Sequence, residues 1–145
     1  MRNSEAVAGE GAVFFLVTNA DTGKRYCRFG EIYFNKDVYQ DLPDISILDS
    51  DGMIKDETAY RKICAKKEPL IASYTPIFGS MMTVSAFNCA AASLILKNQL
   101  CYASQVKINP YKVNVCASTK KMKIDKINCV RYGCNKANAV VELKL

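Results

Sequence analysis

Residues 77–96, IFGSMMTVSAFNCAAASLIL, decide how this chain is read. The stretch belongs to a longer charge-free run from Pro69 to Leu96, and its length would let a helix span a bilayer. Against that stand Ser80, Thr83, Ser85, Asn88 and Ser93, because an Asn near the middle of hydrocarbon is costly. Small residues recur at i, i+4 (Ser85, Cys89, Ser93), a spacing that suits membrane helices and equally a helix packed tightly on a sheet. The polar content favours a buried central helix in a soluble core.

Towards the N-terminus the pattern turns to strands. Gly11–Asn19 (GAVFFLVTN) and Arg25–Asn35 (RYCRFGEIYFN) are rich in β-formers and flank a Gly-containing polar loop, which predicts a hairpin. Gly30 interrupts the second run and marks a bulge. Ile45–Leu48 is a short strand candidate inside an acidic, turn-prone stretch. Asp56–Lys67 reads as a short helix, with Asp56 at its cap, Lys62, Lys66 and Lys67 towards its end, and Pro69 beyond it.

Towards the C-terminus the period becomes two. Leu100, Tyr102, Ser104, Val106 and Ile108 share one face of a first strand, and Tyr111, Val113, Val115 and Ala117 lie on the same side of the next. This register sets Lys107 opposite Lys112. Lys121–Tyr132 is a third strand with a phase slip between Ile124 and Ile127, and a turn at Gly133–Lys136 leads to a last strand over Ala139–Leu145. The expected fold is α+β: an N-terminal β-hairpin, a short helix, one buried central helix and a C-terminal antiparallel meander. An open β-barrel is one version of it. Residues 1–10 read as a flexible leader and 11–145 as a single domain.

Charge is unevenly placed. Residues 1–60 hold six Lys/Arg against eleven Asp/Glu, a balance of −5, and residues 61–145 hold fourteen against three, a balance of +11. Such asymmetry draws polyanions to one end of a molecule. The seven cysteines are odd in number and scattered, and the N-terminus lacks an apolar cleavable segment, so a reducing intracellular compartment, cytoplasmic or nuclear, is expected.

The chain has no histidine. That removes Ser-His-Asp and Cys-His nucleophilic pairs, imidazole ligands for zinc, and the side chain that titrates near neutrality. Only Cys129-x4-Cys134 forms a close cysteine pair, too little for a four-Cys metal site. Asp49-Ser50-Asp51-Gly52 resembles a calcium loop until its first and twelfth positions fall on Ile47 and Thr58, so an Asp-Gly turn is the better account. The sequence leans away from an enzyme and calls for no cofactor and no metal.

The positive signal is basic. Lys107, Lys112 and Lys144 fall on faces opposite the apolar sets, and Lys120, Lys121 and Lys123 cluster at a turn. Arg25 and Arg28 interleave with Tyr26, Phe29 and Tyr33, as in a single-strand stacking platform. The leading expectation is therefore a non-enzymatic nucleic-acid-binding protein contacting phosphates with little base specificity. Its candidate residues are Arg25, Arg28, Lys107, Lys112, Lys120, Lys121, Lys123, Arg131 and Lys144, with DNA and RNA both open. The alternative is a structural or protein-protein interaction module, a homo-oligomer whose acidic and basic halves meet in neighbouring copies. A membrane partner is disfavoured.

Overall fold

A computed structural model describes residues 9–20, 23–35, 42–49, 69–106, 109, 112–133 and 137–145. The strands are β1 (Arg28–Phe34), β2 (Ile45–Leu48), β3 (Leu70–Ala72), β4 (Leu100–Cys101), β5 (Lys120–Lys121), β6 (Lys126–Tyr132) and β7 (Asn138–Lys144). Two helices follow β3, α1 (Thr75–Phe78) and α2 (Val84–Asn98). The five-stranded sheet runs β1-β7-β6-β2-β3, and β4 pairs with β5 as a separate ribbon. The α+β expectation holds in outline, and the sheet is open rather than a closed barrel.

Strand β2 shows why. Ile45, Ser46, Ile47 and Leu48 are all buried, because the strand is covered on both faces. It runs parallel to β3 on one side and to β6 on the other. Ile45, Ile47, Ile127, Cys129 and Leu143 pack towards Ala92, Ile95 and Leu96 of α2, while Leu48, Ile71, Val130, Tyr132 and Val140 form a second cluster. Strands buried on both sides read as short unbroken apolar runs, which is what Ile45–Leu48 is.

The charge-free segment yields two helices in place of one. Gly79 takes φ 78°, a left-handed conformation open to glycine, and ends α1; α2 begins at Val84. Asn88, Cys89, Ala92, Ser93, Ile95 and Leu96 are buried, as expected of a helix lying on a sheet. No helix among the described residues is long and apolar enough to cross a membrane. At the C-terminus of α2, Gln99 is left-handed (φ 52°) and its side chain acts as a short piece of ladder. Its Nε2 donates to Leu96 O and Ile124 O, both at 2.8 Å, and its Oε1 accepts the Ile124 N–H at 2.9 Å.

Several strand expectations need correction. Residues 11–19 form no strand and do not pair with 25–35. Phe14 and Leu16 are 92% and 99% exposed. The second run is β1, but its partner is β7 at the other end of the chain. β-propensity marks a surface fit for pleating and does not choose the neighbour. Gly30 does sit in a bulge: Gly30 and Glu31 together face Glu142, between the pairs Phe29↔Leu143 and Ile32↔Val141. A Cβ on Gly30 would run into Glu142 Oε1, so a larger residue there must displace that buried carboxylate.

The C-terminal meander is reduced to its last hairpin, β6–β7. In place of the strands expected over 100–117, the described residues hold β4, the Ile71↔Val115 bridge, and backbone bonds from Ser104 N–H to Cys116 O at 2.7 Å and from Gln105 N–H to Ser73 O at 3.1 Å. The predicted phase slip is a full break between β5 and β6. Gln99 fills it from one side, and Asp44 Oδ2 accepts Asp125 N–H at 2.8 Å and Lys126 N–H at 3.0 Å from the other. The helix expected at 56–67 lies outside the described residues.

Candidate functional site

Where strands run parallel, their carboxyl ends gather loops along one edge, the usual place for ligands in open α/β sheets. Here β2, β3 and β6 are parallel, and their carboxyl ends converge. Asp49 directly follows β2, Thr75 opens α1 just past β3, and Arg131 is near the end of β6. Arg131 Nη1 lies 3.4 Å from Asp49 Oδ2 and donates to Ser85 Oγ at 3.1 Å and to Met82 O at 3.3 Å. Ser85 Oγ donates to Asp49 Oδ2 at 3.4 Å, and Thr75 Oγ1 to Asp49 Oδ1 at 3.5 Å.

The Asp49 side chain is 1% exposed and that of Arg131 33%. A buried carboxylate is tolerated only when its charge is compensated, and here a guanidinium and two hydroxyls do so. The cluster thereby pins both α1 and the first turn of α2 to the sheet edge. The N-terminal segment lies against the same corner. Gly9 N–H donates to Ser80 O at 3.1 Å, and Thr83 Oγ1 donates to Gly11 O at 3.3 Å. Phe78 and Phe87 stack beside it with ring centroids 4.9 Å apart, and Ile77 and Met82 face outward.

The described thiols sit elsewhere, in or beside the core. Cys27 Sγ donates to Ser93 Oγ at 3.2 Å. Cys129 is hydrogen-bonded to Cys89; this bond, then burial, pushes the Cys129 thiol well up, while the bond draws Cys89 down against its burial. Cys101 Sγ lies 2.9 Å from Cys116 Sγ, and burial, then this neighbour, pushes Cys101 up to about 12. Cys27 is half-buried and the other four are buried. None of these five is presented to solvent as a nucleophile. Among the described residues no group of three or more His, Cys, Asp or Glu could hold a metal.

The residues singled out from sequence do not converge. Arg131 is at the carboxyl edge, committed to Asp49. Arg28 and Lys144 face each other at the opposite edge, where Arg28 Nη2 donates to Leu145 O at 3.4 Å and Lys144 Nζ stands 2.8 Å from Glu142 Oε1. Lys120 and Lys121 lie on β5 beside the C-terminal end of α2, and Lys123 pairs with Asp125 at 3.1 Å. Lys112 is exposed in a turn with φ 51°, Arg25 is exposed before β1, and Lys107 lies outside the described residues. The two ends are separated by the 15-residue α2, a rise of about 22 Å. The supposed stacking platform is also taken up: Lys97 Nζ sits 3.7 Å over the Tyr26 ring, Phe29 meets Phe15 edge-on at 6.0 Å, and Tyr33 packs on the second core cluster. Sequence reasoning missed Asp49, Thr75 and Ser85 as members of a site. The signal for Asp49 was its place directly after a doubly buried strand.

No known family profile matches this sequence, and no curated protein does. Solved structures do. Ketosynthase twelve of the bacillaene polyketide synthase from Bacillus amyloliquefaciens superposes with a TM-score of 0.64 at 11% identity, covering 82% of this chain and 30% of that one. The chain folds like part of a ketosynthase. The ketosynthase from module 1 of the bacillaene synthase of the same organism gives 0.63 at 13% identity, over 82% of this chain and 32% of that one. The ishigamide ketosynthase/chain length factor gives 0.60 at 16% identity, over 70% and 28%. The chain thus spans about a third of the length of the ketosynthases it resembles. This fold, together with the scattered and paired basic residues, overturns the reading as a nucleic-acid-binding protein. It equally corrects the alternative of a purely structural module.

Proposed function

We propose that this chain is a ketosynthase-like part of an enzyme that builds acyl chains, joining acyl units to form ketones, with the carboxyl-edge corner at Asp49, Thr75, Ser85 and Arg131 framing the acyl site. The observation that carries the reading is the likeness to ketosynthases over 70–82% of the chain. The converging strand ends, the Asp49–Arg131 ion pair across them, and the apolar Ile77, Phe78 and Met82 alongside support it. Without histidine, proton transfer at such a site falls to groups other than imidazole. The five described thiols are too sheltered to serve as acyl acceptors, so the chain's part is to shape and orient, with the nucleophile supplied from outside these residues.

One structural neighbour is a type II polyketide synthase acyl-carrier protein in complex with its ketosynthase bound to the hexaketide. By extension, the partner proposed for this chain is an acyl-loaded carrier protein. Isothermal titration with carrier protein bearing a short acyl thioester tests this. Saturable binding that weakens at least tenfold in Arg131→Lys, with no acyl adduct on Cys27, Cys89, Cys101, Cys116 or Cys129 by mass spectrometry, is expected. Absence of binding by the folded protein would overturn the reading, as would an adduct on any of those five thiols.

A further inference from the structure

Cys101 and Cys116 come together although fourteen residues separate them in sequence. Cys101 ends β4 and pairs across to Lys120 of β5. Cys116 follows the Ile71↔Val115 bridge; its N–H donates to Ile71 O at 2.9 Å and its carbonyl accepts the Ser104 N–H at 2.7 Å. Both backbones are therefore held by ladders that do not depend on the sulfurs. The two Sγ atoms stand 2.9 Å apart, and the side chains are 0% and 1% exposed. A disulfide needs about 2.05 Å between sulfurs, so a closure of less than an ångström separates the thiol pair from a bond.

We infer that Cys101 and Cys116 form a reversible intrachain disulfide by exchange with a small-molecule disulfide such as oxidised glutathione. One cysteine gives up its proton to solvent, and its thiolate attacks the small disulfide, forming a mixed disulfide and expelling one small thiolate. The second cysteine, deprotonated in turn, attacks the protein-bound sulfur and expels the other. Two protein S–H bonds and one small-molecule S–S bond break; one protein S–S bond and two small-molecule S–H bonds form. Burial, and for Cys101 a thiol pushed up to about 12, mean that exchange proceeds through local opening around the two thiols, so the bond forms slowly and is slow to be reduced. Once formed, it ties β4 to the Val115 bridge beside Tyr74, whose hydroxyl donates to Tyr102 O at 2.9 Å. Thr75, which touches Asp49, is the next residue. The inference rests on the thiol geometry and is independent of the proposed function.

The test incubates the full chain in dilute urea with oxidised or reduced glutathione, alkylates the remaining thiols and maps the peptides by mass spectrometry. The expected result is a linked Cys101–Cys116 peptide, a loss of two hydrogens from the intact mass, and a Tm higher by about 5–10 °C than that of the reduced protein. The Tm gain should vanish in both Cys101→Ala and Cys116→Ala, while Cys27→Ala keeps it. Recovery of both cysteines in alkylated form after oxidation would overturn the inference even if neither variant folds. So would a bridge at Cys89–Cys129 instead, or a lower Tm in the bridged protein.

Discussion

The two ends of the five-stranded sheet treat charge in opposite ways. At the carboxyl edge Asp49 from the acidic half of the sequence and Arg131 from the basic half are drawn together under α1 and α2. At the amino edge Lys126 and Lys144 meet the buried Glu142, but Lys120, Lys121 and Lys123 near the end of α2 and Arg28 on the β1–β7 rim stand at the surface. The denser cluster in sequence is the looser one in space. Charges that solvate a surface can be exchanged at little cost, whereas a charge held out of water constrains everything around it. The opposed halves of the sequence therefore meet inside one molecule, at the corner where the ketosynthase-like fold brings three strand ends together.

Arg131→Met should break this contrast most sharply, because it removes the guanidinium that faces the buried Asp49 carboxylate. Urea denaturation should show a loss of about 3 kcal/mol. An unchanged midpoint would mean that the carboxyl edge is no more demanding than the surface. Gly30→Ala probes the buried carboxylate on the amino side, where the new methyl group collides with Glu142. It should cost about 2 kcal/mol through overpacking and displacement of the Lys126 and Lys144 pairs. Gln99→Ala removes the side chain that satisfies both backbone groups of Ile124, for a loss of about 1–2 kcal/mol, and amide exchange at Ile124 should accelerate. Substituting Lys120, Lys121 and Lys123 together by Gln should change stability by no more than about 0.5 kcal/mol. A larger loss there would erase the difference between the two ends.

The same contrast explains how much could be read in advance. Local signals translated well: the charge-free run became helices on a core, Ile45–Leu48 became a strand and Gly30 became a bulge. Pairings over long sequence distance did not. Nothing in RFGEIYF names NAVVELK as its partner, and nothing in ISIL announces parallel neighbours on both sides. The alternation over 100–117 is real, but period-two patterning without a ladder on each side yields isolated contacts. Arg131 was singled out for its charge alone. Its role comes from Asp49, which lies 82 positions away and reads from sequence as a turn residue.

The most direct test of the central claim maps a soluble acyl-pantetheine thioester onto the folded chain by amide chemical-shift changes. Shifts should concentrate in residues 75–85 and around Asp49 and Arg131, with the amides of Lys120, Lys121 and Lys123 unmoved. Shifts confined to the Lys120–Lys123 end, or none at saturating thioester, would contradict it.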